Sequence, residues 1–324
     1  MSLDAVTLGD RVEALVANED IAGALALLHE AVERSNPHGL FVLATWTLSG
    51  RRVPRDLPRA RDLFQRAAEA GHNDAGAVHT AFLANGTGGV ADWKGALEWL
   101  GHRSRTCPAA RRQRDLIAAM ALTSEGEPAQ LPESTMLSRA PHIRAVRGLF
   151  SVAECAYLIE AAGPMFEPSL VVDPRSGRLI SDPVRTADVA AFPLAIENPA
   201  IHALNRRLAA ATGTGVTQGE PLQILRYGAG QQYKPHLDTL ADDDNQRIIT
   251  ALIYLNDGYA GGETWFPSTG KAMRGAPGDA LIFRNVIASG EPDPASRHAG
   301  MPVGSGTKYL ASRWIRAAPL KLTP

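Results

Sequence analysis

The chain has only two cysteines in 324 residues, Cys107 and Cys155. They lie far apart and in different expected domains, which argues against a disulfide framework and fits a reducing interior. Charge of one sign is also lacking: 33 Lys and Arg against 34 Asp and Glu give a formal net charge of -1. That balance gives no reason to expect nucleic acid or an anionic membrane as a partner. There is no long apolar run, and the opening MSLDAVTLGDRVE carries acidic residues early. Neither a signal peptide nor a membrane span is expected, and a cytoplasmic protein is. GxSxG and GxxxxGK[ST] are absent, so no nucleophile elbow or phosphate loop competes for the chemistry. What is present is a chain 45% hydrophobic and 21% charged, enough for a packed core and long enough for two domains.

The first third of the chain repeats itself. Ala24, Ala60 and Ala96 recur every 36 residues. Each is followed by two large apolar positions: Leu27 and Leu28, Leu63 and Phe64, Trp99 and Leu100. Gly50 and Gly86, Trp46 and Phe82, and Asp56 and Asp92 keep the same spacing. Each unit reads as helix, turn, helix, with turns at Asn36-Pro37 and around 71–74. Small residues let helices approach, and large ones fill the groove between units. One more helix is expected from Pro108 to about Ala121, with Arg111, Arg112 and Arg114 on a solvated face. Residues 123–141, TSEGEPAQLPESTMLSRAP, lose the periodicity and are rich in Pro, Ser and Glu. They read as a linker or an ordered crossing segment. The expected domains are therefore 1–122, helical repeats, and 142–324, joined by a linker at 123–141.

In the second domain a weak alternation over 142–150 suggests a first strand. Ser151 with Glu154 is a capping box that opens a helix to Ala162. Residues 166–186, with Pro168, Pro174, Gly177 and Pro183, read as a long loop or loose hairpin. Asn198, Pro199 and Gly213 bracket another helix, with Ile201, Leu204 and Leu208 as its apolar stripe. Short strands are expected at 222–227, 248–255, 263–267, 279–284 and 308–316. Such spacing argues for an antiparallel sandwich or barrel, and a jelly roll brings distant strands side by side.

The chemistry concentrates in residues 222–238, LQILRYGAGQQYKPHLD. On a strand, side chains two apart share a face, so His236 and Asp238 converge. An imidazole and a carboxylate, completed by one more His, make the facial triad of non-haem Fe(II), with positions left open. Downstream of Asp238 the only histidine is His298, so this triad needs it. On the last strand Lys308, Ser312 and Trp314 share a face, and a buried lysine is costly unless an anion meets it. The acidic run 242–244 reads as a solvated loop tip.

Three segments carry a family resemblance: 220–238, then 247–267 (RIITALIYLNDGYAGGETWFP), then 298–316 (HAGMPVGSGTKYLASRWIR). In this order they resemble the metal-binding strands and closing segment of prolyl 4-hydroxylases, of the Fe(II)- and 2-oxoglutarate-dependent dioxygenase superfamily. The likeness runs from about Arg144 to the end of the chain. Upstream, GRRVPRDLPRARDLFQRAAEAGHNDA and NGTGGVADWKGALEWL resemble Sel1-like repeats, relatives of tetratricopeptide arrays. Together these imply a multi-domain α+β fold. An N-terminal α-helical repeat domain precedes a double-stranded β-helix, or jelly-roll, oxygenase domain with supporting helices.

The resemblance implies hydroxylation of an unactivated carbon, most naturally peptidyl-proline as in procollagen. 2-Oxoglutarate and O2 are consumed, and succinate and CO2 released, with ascorbate an expected cofactor. It implies that His236, Asp238 and His298 bind Fe(II). Lys308, ten residues after His298, would grip the 5-carboxylate of 2-oxoglutarate, with Tyr227, Thr264, Tyr254 and Ser312 in the same pocket. Tyr254 reads equally as a core tyrosine. Glu220, Tyr233, Arg247 and Trp314 are the implied substrate residues, Tyr233 and Arg247 also catalytic. Arg247 reads alternatively as a structural ion-pair partner and Glu220 as a surface residue. Arg185-Thr186 falls where related enzymes carry a mobile loop over the substrate. The implied partner is a protein or peptide substrate, recruited by the repeats; the repeats read alternatively as a structural cap. Two other functions stay open: the same chemistry on a free amino acid or small metabolite, and a non-catalytic binding protein.

Overall fold

The protein is described by a computed structural model covering residues 5–172, 179–181, 184–241 and 243–320. Asp242 of the acidic run, and Pro174, Gly177 and Pro183 of the expected hairpin, lie outside the described residues. Seven helices come first: α1 Ala5–Ala17, α2 Ile21–Glu33, α3 Pro37–Ser49, α4 Leu57–Glu69, α5 Asn73–Asn85, α6 Trp93–Arg103 and α7 Pro108–Ala119. The 36-residue period is a capping period. Asp20, Asp56 and Asp92 accept from the backbone N–H of Gly23, Arg59 and Gly95, each at 2.8–2.9 Å. Each carboxylate satisfies one of the unpaired donors at a helix start and sits at the positive end of the helix dipole. Gly50 and Gly86 close α3 and α5 at φ 69° and 77°, a conformation that costs a β-carbon dearly. Ala24, Ala60 and Ala96 are fully buried where neighbouring helices meet.

Two more helices support the sheets: α8 Val152–Ala162 and α9 Pro199–Thr212. Both termini form as expected, with the Ser151–Glu154 capping box complete and Asn198 accepting from Ala200 and Ile201. The capping Glu154 also pairs with Arg207 of α9 at 2.7 Å, so the cap of one helix fixes the next.

The strands are β1 Ser134–Arg139, β2 His142–Val146, β3 Glu167–Pro168, β4 Leu170–Val172, β5 Leu179–Ser181, β6 Asp188–Phe192, β7 Leu222–Tyr227 and β8 Tyr233–His236. They continue as β9 Arg247–Tyr254, β10 Tyr259–Gly261, β11 Thr264–Phe266, β12 Lys271–Met273, β13 Ala280–Arg284, β14 His298–Gly300, β15 Val303–Gly306 and β16 Lys308–Arg316. Eight make one sheet in the order β1-β2-β13-β9-β16-β7-β6-β3, and four make a second in the order β12-β11-β14-β8. The ladders are antiparallel, and neighbours are far apart in sequence, as in a jelly roll. β4 and β5 form the expected loose hairpin.

β9 shows why the sequence folds this way. Ile249, Ala251 and Ile253 alternate toward a core shared with the helices, while Leu252 and Tyr254 point into the core between the sheets. A strand buried on both faces reads as the unbroken apolar run RIITALIY.

One expectation needs correction. The segment 123–141 is not wholly a linker, because its last third is β1, paired to β2 at the edge of the large sheet. Its side chains are exposed or half-buried and its register shifts between Met136 and Ser138, so no alternation marks it in the sequence. The two halves pack on one another. Trp93, Leu100 and Ile117 of the array share one core cluster with Leu158, Ile201 and Leu204 of the second half. Asn85 Nδ2 donates to the Leu194 carbonyl at 2.8 Å, and Arg206 lies 5.2 Å over the Trp93 ring. Among the described residues no helix is long and apolar enough to cross a membrane.

A shared core predicts shared melting. Leu100→Ala should cost about 2–5 kcal/mol, the usual range for a buried Leu→Ala. Calorimetry should show one endotherm in wild type and variant. Two resolved endotherms, with only one moved by the substitution, would mean that the halves fold independently.

Candidate active site

The site is built where the small sheet meets the large one. β8 ends at His236, and Asp238 follows two residues beyond it in extended chain, so convergence does not require the strand to continue. β14 opens with His298, whose cross-strand partner in the ladder is His236. Antiparallel pairing thus places side by side two imidazoles that the sequence separates by sixty-two residues. Ligand atoms of His236, Asp238 and His298 all lie within 4.8 Å of one another. His236 Nε2 is 3.4 Å from Asp238 Oδ1, and His298 Nε2 is 3.6 Å from Asp238 Oδ2.

The other ring nitrogens set the tautomers. His236 Nδ1 is 2.8 Å from the Lys234 carbonyl, and His298 Nδ1 is 3.1 Å from the Ser296 carbonyl. A carbonyl only accepts, so each Nδ1 carries the proton and each Nε2 turns a lone pair toward Asp238. His236 Nε2 is buried and has no hydrogen-bond partner. Burial pushes the His298 imidazolium down to about 4, so the ring is neutral at ordinary pH. Burial would raise the Asp238 carboxyl, but at the acid pH where it would take up a proton the imidazoles are cationic, and they and a bond from Thr250 hold it well below the usual carboxylate range. Two imidazoles and an ionised carboxylate, with the buried His236 Nε2 unpartnered among them, are the donor set that a divalent cation satisfies.

A second row of residues holds the ligands. Thr250 Oγ1 donates to Asp238 Oδ2 at 2.6 Å, and Asn285 Nδ2 donates to Thr250 Oγ1 at 2.9 Å. Phe266 and Phe283 flank the His298 ring, and Tyr233 stacks on His236 with centroids 3.4 Å apart. Sequence reasoning missed Thr250 and Asn285. The signal was available: a hydroxyl inside the apolar run of β9 must find a partner when buried.

The pocket beside the triad is lined by Tyr227, Thr264, Lys308, Ser312, Tyr233 and Trp314, among others. Lys308 is 2% exposed, and β16 sets it directly across from Tyr227 of β7. Its ammonium donates to the Gly262 carbonyl at 2.7 Å and lies 5.4 Å from the Tyr227 ring centre. Gly262, at φ 69°, permits the turn that aims this carbonyl inward. Among the described residues Lys308 has no carboxylate in ion-pair range. Burial pushes it down to about 8. Tyr254 does not line the pocket. Its hydroxyl is 3.1 Å from both Thr264 Oγ1 and the Met273 carbonyl. The carbonyl must accept the tyrosine proton, so Thr264 donates to Tyr254, which therefore orients Thr264 from behind.

Of the four expected substrate residues, Tyr233 and Trp314 line the pocket, while Glu220 and Arg247 do not. Glu220 is buried rather than on the surface. Arg247 grips it with two bonds of 2.6 and 2.7 Å and lies 4.0 Å over the Trp314 ring. Arg316, unmarked in the sequence reading, adds a third bond to Glu220 at 2.5 Å and another to Asp243 at 2.7 Å. The Trp314 indole N–H is buried without a partner. Arg185 bridges to Tyr233 in backbone pairing and sits 5.6 Å over its ring.

Known proteins resemble this chain. A family model described as the 2OG-Fe(II) oxygenase superfamily matches residues 222–316. Prolyl 4-hydroxylase 1 of Arabidopsis thaliana is 37% identical over 201 residues, spanning 56% of this chain and 71% of that protein. The viral collagen prolyl hydroxylase of Paramecium Bursaria Chlorella virus-1, solved with 2OG, is 26% identical with a TM-score of 0.43, over 54% of this chain and 96% of that one. A Sel1 repeat protein from Oxalobacter formigenes is 21% identical with a TM-score of 0.32, over 35% of this chain and 88% of that one.

Thr250→Val keeps the shape of the side chain and removes the proton given to Asp238. A lost partner of a metal ligand typically weakens metal binding by about 10–100-fold. Titration of the variant with Fe(II) or Mn(II), well below its melting temperature, should show a loss in that range; the melting temperature itself should fall, because Asn285 Nδ2 loses its buried acceptor. Wild-type affinity would mean that Asp238 is held in place without Thr250.

Proposed function

This chain belongs to the prolyl 4-hydroxylase family of 2OG-Fe(II) oxygenases, and on that premise we propose that it hydroxylates peptidyl-proline. Its reactants besides substrate are Fe(II), 2-oxoglutarate and O2, and ascorbate is typical of the family. One oxygen atom of O2 enters the C–H bond of the substrate. The other enters succinate as 2-oxoglutarate loses CO2. Fe(II), when bound, supplies the O2 chemistry that no side chain offers.

The residues of this chain divide the remaining work. His236, Asp238 and His298 would hold the metal from one side and leave its other positions open. Lys308 would pair with the far carboxylate of 2-oxoglutarate, with Tyr227, Thr264 and Ser312 beside it. The ring faces of Tyr233 and Trp314 suit the flat, apolar surface of a pyrrolidine. Arg247, fixed by Glu220, keeps Trp314 in place at the pocket and acts through it. The single observation that carries this reading is a buried ammonium without a carboxylate partner in the same pocket as three converging metal-type ligands. A charge so buried is costly unless a ligand brings the opposite one. The array of α1–α7 is proposed to receive the protein that carries the target proline, and the cytoplasm is its proposed location.

Purified full-length protein with Fe(II), 2-oxoglutarate and ascorbate should release succinate when given proline-containing peptides, and the peptide should gain one oxygen atom. Bound iron without succinate release, with or without peptide, would overturn the enzymatic reading. Asp238→Ala should abolish metal binding. Lys308→Met should weaken 2-oxoglutarate more than a hundredfold, about 3 kcal/mol or more for one partner of a buried charge pair. The pH dependence has a definite sign. Below about 8 the Lys308 ammonium is charged in the ligand-free chain, and above it the charge is progressively lost. Affinity for 2-oxoglutarate should therefore fall as pH rises from 8, and a flat profile from 7 to 10 would remove Lys308 from the co-substrate site.

A further inference from the structure

Helices α8 and α9 pack on the outer face of the large sheet. There α9 stops at Gly213, and a pocket of about 270 Å³ opens beside β2 and β13. Ile249 and Ile282 line it from the sheet, and His142, Arg144 and Arg284 surround them. Register explains the grouping. Arg144 of β2 pairs with Ile282 of β13, so His142 and Arg284, two residues further along each strand, share that face. Arg139 of the edge strand β1 pairs with His142 and joins them. Three guanidinium groups and an imidazole thus gather on one face of three adjacent strands.

Several arginines elsewhere in this half of the chain meet carboxylates. Arg207 meets Glu154 at 2.7 Å, Arg226 meets Asp188 at 2.9 Å, and Arg316 meets Asp243 at 2.7 Å. Among the described residues Arg139, Arg144 and Arg284 have no ion pair. Arg144 is held in place, since Nη2 donates to the Ala211 carbonyl at the end of α9 at 3.2 Å. Its Nε is nevertheless buried with no acceptor. The charges facing His142 are likewise all positive. Burial and then Arg284, Arg144 and Arg139 lower its pKa, and no carboxylate opposes them.

We propose that this pocket binds a phosphate-type oxoanion, gripped by Arg144 and Arg284 with Arg139 at the rim. Three guanidinium forks around one pocket exceed what one carboxylate neutralises. A tetrahedral dianion offers acceptors in several directions and suits their geometry. The patch is confined to one sheet end on a chain of net charge -1, which fits a single anionic group rather than a polyanion track. The apolar floor of Ile249 and Ile282 leaves room for the carbon skeleton of a phosphate ester. The site lies on the opposite face of the sheet from the triad and does not depend on the hydroxylase reading.

The test is calorimetric titration of the full chain at constant ionic strength with inorganic phosphate, O-phosphoserine and citrate. Phosphate and O-phosphoserine should bind saturably, and tighter binding of O-phosphoserine would identify an ester as the natural form. Arg284→Glu and Arg139→Glu, both at exposed side chains, should each lower affinity at least tenfold without changing the melting temperature. Asp238→Ala should bind phosphate as the wild type does. The proposal is overturned by a response that tracks ionic strength alone, by citrate binding as tightly as phosphate, by unchanged affinity in both Arg variants, or by loss of binding in Lys308→Met, which would locate the anion in the co-substrate pocket.

Discussion

The structure turns on three electron-pair donors held together in a dry place. Two imidazole nitrogens and a carboxylate repel as bare lone pairs. Their approach has to be imposed from outside. The β8–β14 ladder imposes it on the histidines, and two carbonyls fix which nitrogen each presents. Thr250 and Asn285 impose it on the carboxylate, and Phe266 and Phe283 keep the His298 ring from turning. Rigid support of this kind is what keeps a metal site from relaxing when it is empty.

The same logic extends to Lys308. A buried ammonium is tolerated here because one carbonyl and two aromatic rings surround it, but none of these neutralises it. The pocket is therefore polarised before any ligand arrives, with positive charge at one end and an anionic metal site at the other. A dicarboxylate with a keto group next to one carboxylate matches that division. The large sheet separates this pocket from the basic cluster on its far face, yet adjacent residues serve both. Ile249 lies beside Thr250, and Arg284 beside Asn285, so one face carries the anion pocket and the other the support of Asp238.

Much of this was legible in the sequence because it is local or spaced by strand geometry. The cap residues Ser151 and Asn198 act within three residues of themselves, and His236 and Asp238 are two residues apart, while the role of Lys308 ten residues after His298 came from the family resemblance. The edge strand β1 was not legible, because a strand with neither face buried carries no alternation. Arg316 was silent because an arginine at the end of a strand has the same letter whether it meets solvent or a buried glutamate. Tyr254 shows the limit from the other side. Parity places it toward the co-substrate pocket, and only the coordinates show Thr264 between them. A cap packed on the second half was one reading of the repeats, but which stripes meet was not legible: apolar stripes on α6, α7 and α9 each announce burial, not against which partner.

That shared core has a mechanical consequence. Because Trp93, Leu100 and Ile117 are packed into the same interior as Ile201 and Leu204, the array is not a tether. It is a ruler. Anything held on its helices stands at a set distance from the triad, and lengthening the array by one 36-residue unit would move the grip by a whole step rather than loosen it.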